Sequence, residues 1–150
     1  MGLFLSPYYN RGTAEDKLQN DTNAIDDYSK AIEINPDYAA AYFSRGGAED
    51  NLQKDSLAIA DYTKAIEMKP EDAVSYYSRG VVKIKLDDYK GAIEDFNNSI
   101  EIDPDYPKPY TFRGVSKILM RDKTGGCTDL KMAKKLGDPR ADKYIKEACE

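Results

Sequence analysis

The chain has 150 residues, 33% of them charged and 41% hydrophobic, a balance that suits a folded domain with a sizeable core rather than a disordered segment. Its formal charge of −5 argues against sequence-independent nucleic-acid binding, which needs a basic face, and no apolar run approaches the roughly 20 residues of a membrane-spanning helix. Histidine is absent, which removes the usual general base, the usual metal ligand and every Ser-His or Cys-His nucleophile.

The opening "MGLFLS" fits the loose N-myristoylation pattern but reads as an ordinary start ahead of a first helix. "GLFL" is too short for a signal-peptide core, so no targeting segment is visible and the compartment stays open. From there the apolar spacing is helical. In "NAIDDYSKAIEINP", Ala24, Ile25, Tyr28, Ala31 and Ile32 recur every three or four residues, and Asn35-Pro36 stops the run. Read along the chain, the helices fall in pairs at 6–18 and 22–35, 40–52 and 56–68, 74–86 and 90–102, and 108–120 and 124–136. A last helix follows at 139–149.

The pairs repeat with a period of 34 residues and no insertion. Arg-Gly recurs at Arg11, Arg45, Arg79 and Arg113, and the turn prolines Pro36, Pro70 and Pro104 keep the same step. So do Ala24, Ala58 and Ala92, and the aromatics Tyr28, Tyr62 and Phe96. Gly12, Gly46, Gly80 and Gly114 lie inside first helices, where glycine costs about 1 kcal/mol against alanine. That recurring cost points to packing, with bare glycine facing the small alanines so that the helices of a hairpin approach closely.

These columns, with Tyr8, Tyr42, Tyr76, Tyr110, Ala31, Ala65 and Ala133, resemble the tetratricopeptide repeat family. The resemblance covers four repeats at about 5–38, 39–72, 73–106 and 107–138, with a capping helix at 139–149, in a single domain over 1–150. It implies an all-α, right-handed superhelical solenoid of antiparallel helix hairpins. Two departures stand out: arginine always precedes the glycine, and the fourth repeat has Gly126, Lys134 and Asp138 where alanine, isoleucine and proline are expected. A terminal repeat turns a polar face to water, which accounts for an atypical one.

Asp27, Asp61, Asp95 and Asp129 each lie 16 residues after their arginine, at a similar height on the facing helix. Arg11–Asp27, Arg45–Asp61 and Arg79–Asp95 are therefore expected to be structural ties. The resemblance also implies a concave groove, lined by first helices, in which a peptide or helical segment of a partner protein lies. Tyr9, Phe43 and Tyr77 are expected to look into it. Asn10, Asp16 and Asp50 would make one half polar and mildly acidic, whereas Val81, Ile84, Phe112, Val115 and Ile118 would make the other apolar, as partner surfaces often are. Some family members hold a chaperone's C-terminal carboxylate with Lys, Asn and Arg; the matching positions here are Tyr9, Thr13, Ser44, Val74 and Ser78, so that clamp is absent.

Cys127 and Cys149 are symmetric about residue 138, so a hairpin turning there sets them at the same height. An oxidising compartment would join them in a disulfide, and a reducing one would leave two buried thiols. No metal site, cofactor or catalytic pair is expected, and the carboxylates of "LDDY" and "DPDY" suit helix starts. The function expected is a protein–protein interaction module. The alternatives are a self-association or scaffold module using the apolar half of the groove, and an accessory domain of a larger enzyme or secretion component.

Overall fold

A computed structural model describes residues 6–150, so the "MGLFLS" motif lies almost wholly outside the described residues. Among these, nine helices and no strand are present: α1 (Pro7–Lys17), α2 (Asp21–Ile34), α3 (Ala39–Asn51), α4 (Asp55–Met68), α5 (Ala73–Lys85), α6 (Tyr89–Ile102), α7 (Pro107–Leu119), α8 (Lys123–Lys135) and α9 (Ala141–Ala148). The chain divides after Pro70 into two compact units, the first holding α1–α4 and the second α5–α9. In each unit consecutive helices pack as neighbours, giving the all-α hairpin solenoid that the 34-residue period predicts.

The tight turns inside the hairpins have a common form that composition does not advertise. Gln19, Gln53, Asp87 and Arg121, again 34 apart, adopt φ of 59°, 58°, 59° and 69°. Each closes a Schellman motif, in which the amide after the left-handed residue donates to the carbonyl five residues back. Those bonds run from Asn20 N–H to Glu15 O, Lys54 to Glu49, Asp88 to Lys83 and Asp122 to Lys117, at 2.8–3.0 Å. Asp88 and Asp122 then cap the following helix, their carboxylates accepting from Gly91 and Gly125 N–H at 2.9 Å.

The glycine column works against the aromatic column rather than chiefly against the alanines. A Cβ on Gly12 would stand 2.8 Å from the Tyr28 ring, one on Gly46 3.2 Å from Tyr62, and one on Gly80 2.7 Å from Phe96. Each aromatic of a second helix thus packs directly on bare backbone of the first. In the fourth repeat Leu130 replaces the ring and the two backbones close up: a Cβ on Gly114 would meet Gly126 O at 2.8 Å, and one on Gly126 would meet Gly114 O at 2.6 Å. Gly126 is therefore a packing residue of this hairpin.

Ala24, Tyr28 and Ala48 form a core of the first unit, with Tyr9 and Ile25 against it. In the second unit Tyr110, Ala133 and Ala141 cluster under Ile100 and Leu136. Helix α9 starts at Ala141, two residues later than the Pro139 of the sequence reading. The reason is Asp138, whose side chain turns inward to Thr111 and Arg140 and holds residues 138–140 in a turn.

Candidate protein interface

Each arginine of the Tyr-x-x-Arg-Gly phrase makes the same set of contacts. Its Nε and Nη2 donate to the two carboxylate oxygens of the aspartate on the facing helix: Arg11 to Asp27 at 2.6 and 2.6 Å, Arg45 to Asp61 at 2.6 and 2.8 Å. In the second unit Arg79 holds Asp95 at 3.0 and 2.7 Å, and Arg113 holds Asp129 at 2.9 and 2.6 Å. All four aspartates are buried, and a bidentate guanidinium is the partner that makes a buried carboxylate tolerable. Hydrogen bonding to Arg11 holds the Asp27 carboxyl below its ordinary range despite its burial. The same guanidinium lies over the tyrosine three residues earlier, with centroid distances of 5.5–5.7 Å for Tyr8, Tyr42, Tyr76 and Tyr110. One turn of helix separates ring from cation, which is why the spacing is three.

A second cation, missed from the sequence, reinforces the later ties. Lys83 Nζ stands 2.8 Å from Asp95 and Lys117 Nζ 2.8 Å from Asp129. The same column carries Glu15 and Glu49 in the first unit. Glu49 is buried, its Oε2 has no hydrogen-bond partner among the described residues, and burial beside Asp61 pushes its carboxyl up to about 7. The i+4 spacing from each arginine was the available signal.

On the first helices of the first unit, Tyr9 packs its ring on Tyr28 and Tyr38, and its hydroxyl is hydrogen-bonded to Ser44 Oγ at 3.3 Å. Phe43 packs on Tyr62 with centroids 5.5 Å apart. Asn10 is exposed, and Asp16 and Asp50 are half-buried. Burial and the neighbouring Asp21 raise the Asp16 carboxyl.

In the second unit Tyr77 meets Phe96, Tyr106 and Phe112 with centroids 5.3–6.2 Å apart, joining α5 to α7 through an aromatic cluster. Val81, Ile84 and Val115 are half-buried. Ile118 leans inward, its Cγ1 only 2.5 Å from where a Cβ on Gly126 would stand, so it fills the α7–α8 hairpin. Arg140, from the turn before α9, lays its guanidinium over Phe112 at 4.9 Å and salt-bridges Asp138 at 2.8 Å. Burial alone would raise Asp138; hydrogen bonds from Arg140 and Thr111 overcome it and hold the carboxyl at about 2. Nothing in the spacing of "GDPR" announced this contact.

Cys127 and Cys149 are joined by a disulfide with Cα atoms 5.8 Å apart, fastening the end of α9 to the start of α8. Among the described residues no cluster of three or more Cys, Asp or Glu side chains suits a metal ion, and no helix is long and apolar enough to cross a membrane.

The sequence pattern of the tetratricopeptide repeat matches residues 6–38 and 73–106, and a second pattern of the same repeat matches 39–72. The chain belongs to the tetratricopeptide repeat family. The fourth hairpin, α7–α8, lies outside those matches yet carries the same arginine tie and Schellman turn as the repeats before it. No curated protein matches the repeats by sequence. Among solved structures, the crystal structure of MamA is 21% identical and superposes with a TM-score of 0.84, covering 90% of this chain and 79% of that one. MamA 41-end from Desulfovibrio magneticus RS-1 gives 20% identity, a TM-score of 0.82 and coverage of 87% and 73%. The first repeat domain of Spaghetti (RPAP3), bound to the HSP90 peptide SRMEEVD, gives 20% identity, a TM-score of 0.72 and coverage of 74% and 90%. At these identities the likeness is one of fold.

Proposed function

We propose that this tetratricopeptide-repeat chain is a protein-interaction module without enzymatic activity, which holds a peptide or helical segment of a partner against its first helices. The observation that carries the reading is the half-buried aliphatic and aromatic surface of α5 and α7, where Val81 and Val115 flank the Tyr77–Phe112 cluster. Water-exposed apolar area of this kind on a rigid helical pair binds by removing that area from water, with the ordering cost borne by the ligand. In the first unit the same columns carry Thr13, Gly47, Asp16 and Asp50, which suits polar or basic ligand side chains.

An acidic tail such as the HSP90 peptide in the RPAP3 structure fits this chain poorly. The positions available to grip it are Tyr9, Thr13, Ser44 and Ser78, and the net charge is −5.

The test is capture of partners from the native source by the wild-type chain, followed by titration of each partner peptide against Val81→Asp and Val115→Asp. Binding is expected to weaken at least about tenfold with helical circular dichroism unchanged. Unaltered affinity in both variants overturns the reading. A concentration-dependent dimer lost in the same variants would favour self-association through this surface instead.

A further inference from the structure

Helix α9 keeps the 34-residue register of the first helices. Ala141 stands in the column of Ala39, Ala73 and Pro107, and Tyr144 in the column of Tyr42, Tyr76 and Tyr110. It packs on α8 as α3 packs on α2 and α7 on α6, with Ala141 fully buried against Tyr110 and Ala133. The arginine column breaks here, because Glu147 occupies the position that continues Arg45, Arg79 and Arg113. At the joints α2–α3 and α6–α7 that arginine is what locks one repeat to the next. Arg45 Nη1 donates to Ser29 Oγ of α2 at 3.0 Å, and Arg113 Nη1 donates to Asn97 Oδ1 of α6 at 2.8 Å. Both acceptors lie 16 residues before their arginine, on the second helix of the preceding repeat.

At the joint α8–α9 the same two columns hold Lys131 and Glu147, and Glu147 pairs with Lys143 of its own helix at 4.0 Å. Two residues further on, Cys149 joins the same two helices through its disulfide to Cys127. The other supports of α9 are slight. It has eight residues, and its N-cap Arg140 makes no side-chain capping hydrogen bond. A helix of this length is marginal on its own in water. Ala141 is fully buried, whereas Tyr144, Ile145 and Ala148 are only half-buried. The Lys134–Asp142 bridge to α8 has both side chains more than half exposed, where an ion pair contributes little. Asp138 is anchored to Thr111, but through the turn ahead of the helix.

We propose that Cys127–Cys149 is a redox-sensitive lock that stands in for the arginine tie at this joint. Reduction undocks α9 and uncovers the apolar end of the α7–α8 hairpin. A dithiol supplies two electrons and two protons; the S–S bond breaks to give two thiols, and the reductant leaves as its own disulfide. The freed thiols pack as small hydrophobes, which hold no fixed geometry between the helices. The surface uncovered is that of Tyr110 and Ala133, with Leu136 beside them, which Ala141 covers in the oxidised chain. The ties of the preceding hairpins are ion pairs and hydrogen bonds, so reduction leaves α5–α8 in place. This device does not depend on the first-helix surface proposed above.

The test is amide hydrogen exchange read by mass spectrometry on the full chain in three states: oxidised, reduced with dithiothreitol, and reoxidised. Intact mass checks the thiol state of each. A chain carrying both Cys127→Ser and Cys149→Ser serves as the permanently unlocked form. Peptides covering 141–148 are expected to exchange at least about tenfold faster in the reduced and the serine chains. Peptides covering 73–102 should change less than about twofold, and reoxidation should restore protection at 141–148. Fluorescence of the dye ANS, which reports exposed apolar surface, should rise and fall in step. Unchanged exchange at 141–148 in the reduced chain overturns the proposal. So does an equal rise over 73–102, which would make the crosslink a staple of the whole unit. A disulfide that dithiothreitol leaves intact under native conditions overturns it as well.

Discussion

The clearest energetic consequence of the tie geometry concerns Glu49. Asp95 and Asp129 each receive an arginine and a lysine, whereas Asp61 receives Arg45 and faces Glu49 in the lysine's column. The groups acting on Glu49 are Asp61, which repels its charge, and Arg45 and Lys54, which favour it; burial and Asp61 win, and the carboxyl rises from 4.5 to about 7. A raised folded-state value means that the folded chain binds the proton more tightly than the unfolded one. The resulting stability is fully present below about pH 4.5, is lost as pH rises to about 7, and is flat above. At 1.36 kcal/mol per unit the displacement corresponds to at most about 3 kcal/mol, and relaxation around the buried carboxyl reduces it to about 1–2 kcal/mol. The chain has no histidine, so no other side chain with an ordinary pKa titrates in this window. Urea unfolding followed by circular dichroism should therefore show the wild type about 1–2 kcal/mol less stable at pH 8 than at pH 5. Glu49→Gln should flatten that profile. Glu49→Lys, which reproduces the Lys83 and Lys117 arrangement, should raise the midpoint at pH 8. A Glu49→Gln chain with the wild-type pH slope, or a Glu49→Lys chain less stable at pH 8, would refute the reasoning.

The remaining predictions concern packing and crosslinks. A double-mutant cycle on Arg45→Met and Asp61→Asn should give a coupling of about 0.5–3 kcal/mol by urea unfolding, and a value near zero would show that the two charges act independently. Gly126→Ala should destabilise the second unit by about 1–3 kcal/mol in spite of alanine's better helix propensity, because the added methyl meets Ile118 and Gly114 O; a rise in melting temperature would mean that the hairpin relaxes freely. Reduction of Cys127–Cys149, or Cys149→Ser, should lower stability by about 2–4 kcal/mol for a crosslink spanning 22 residues. An unchanged melt under reductant, with thiols confirmed by mass, would mean that the α8–α9 contacts alone hold the last helix.

What the sequence disclosed, and what it withheld, divides along one physical line. Helix pairs were legible because every hairpin must bury its stripe against the next, and a 34-residue period repeats that demand with only small variations. The helix limits it implied differ from the observed ones by at most one residue, except at α9, where an inward-turned Asp138 delays the start by two. The Schellman turns left no trace, since Gln19, Gln53, Asp87 and Arg121 share no single residue type and none is glycine; the hydrogen bond to the carbonyl five residues back specifies the turn through backbone alone. The long polar side chains were the least legible. An offset of 16 placed each aspartate opposite its arginine, but one guanidinium has five donors in a fixed fork, and the offset says nothing of the third edge. That edge turned out to reach back 16 residues, to Ser29 and Asn97. Arg140 was hidden for the same reason: its stem spans the distance from the α9 turn to Phe112, so its contact depends on reach and not on register. Tyr-x-x-Arg-Gly thus condenses four requirements into one helical turn and a half. The tyrosine supports the cation, the arginine ties its own hairpin and, at Arg45 and Arg113, the helix before it, and the glycine gives room for the ring or backbone on the facing helix. Loss of any one of them leaves a buried carboxylate or a displaced aromatic, so the phrase recurs whole.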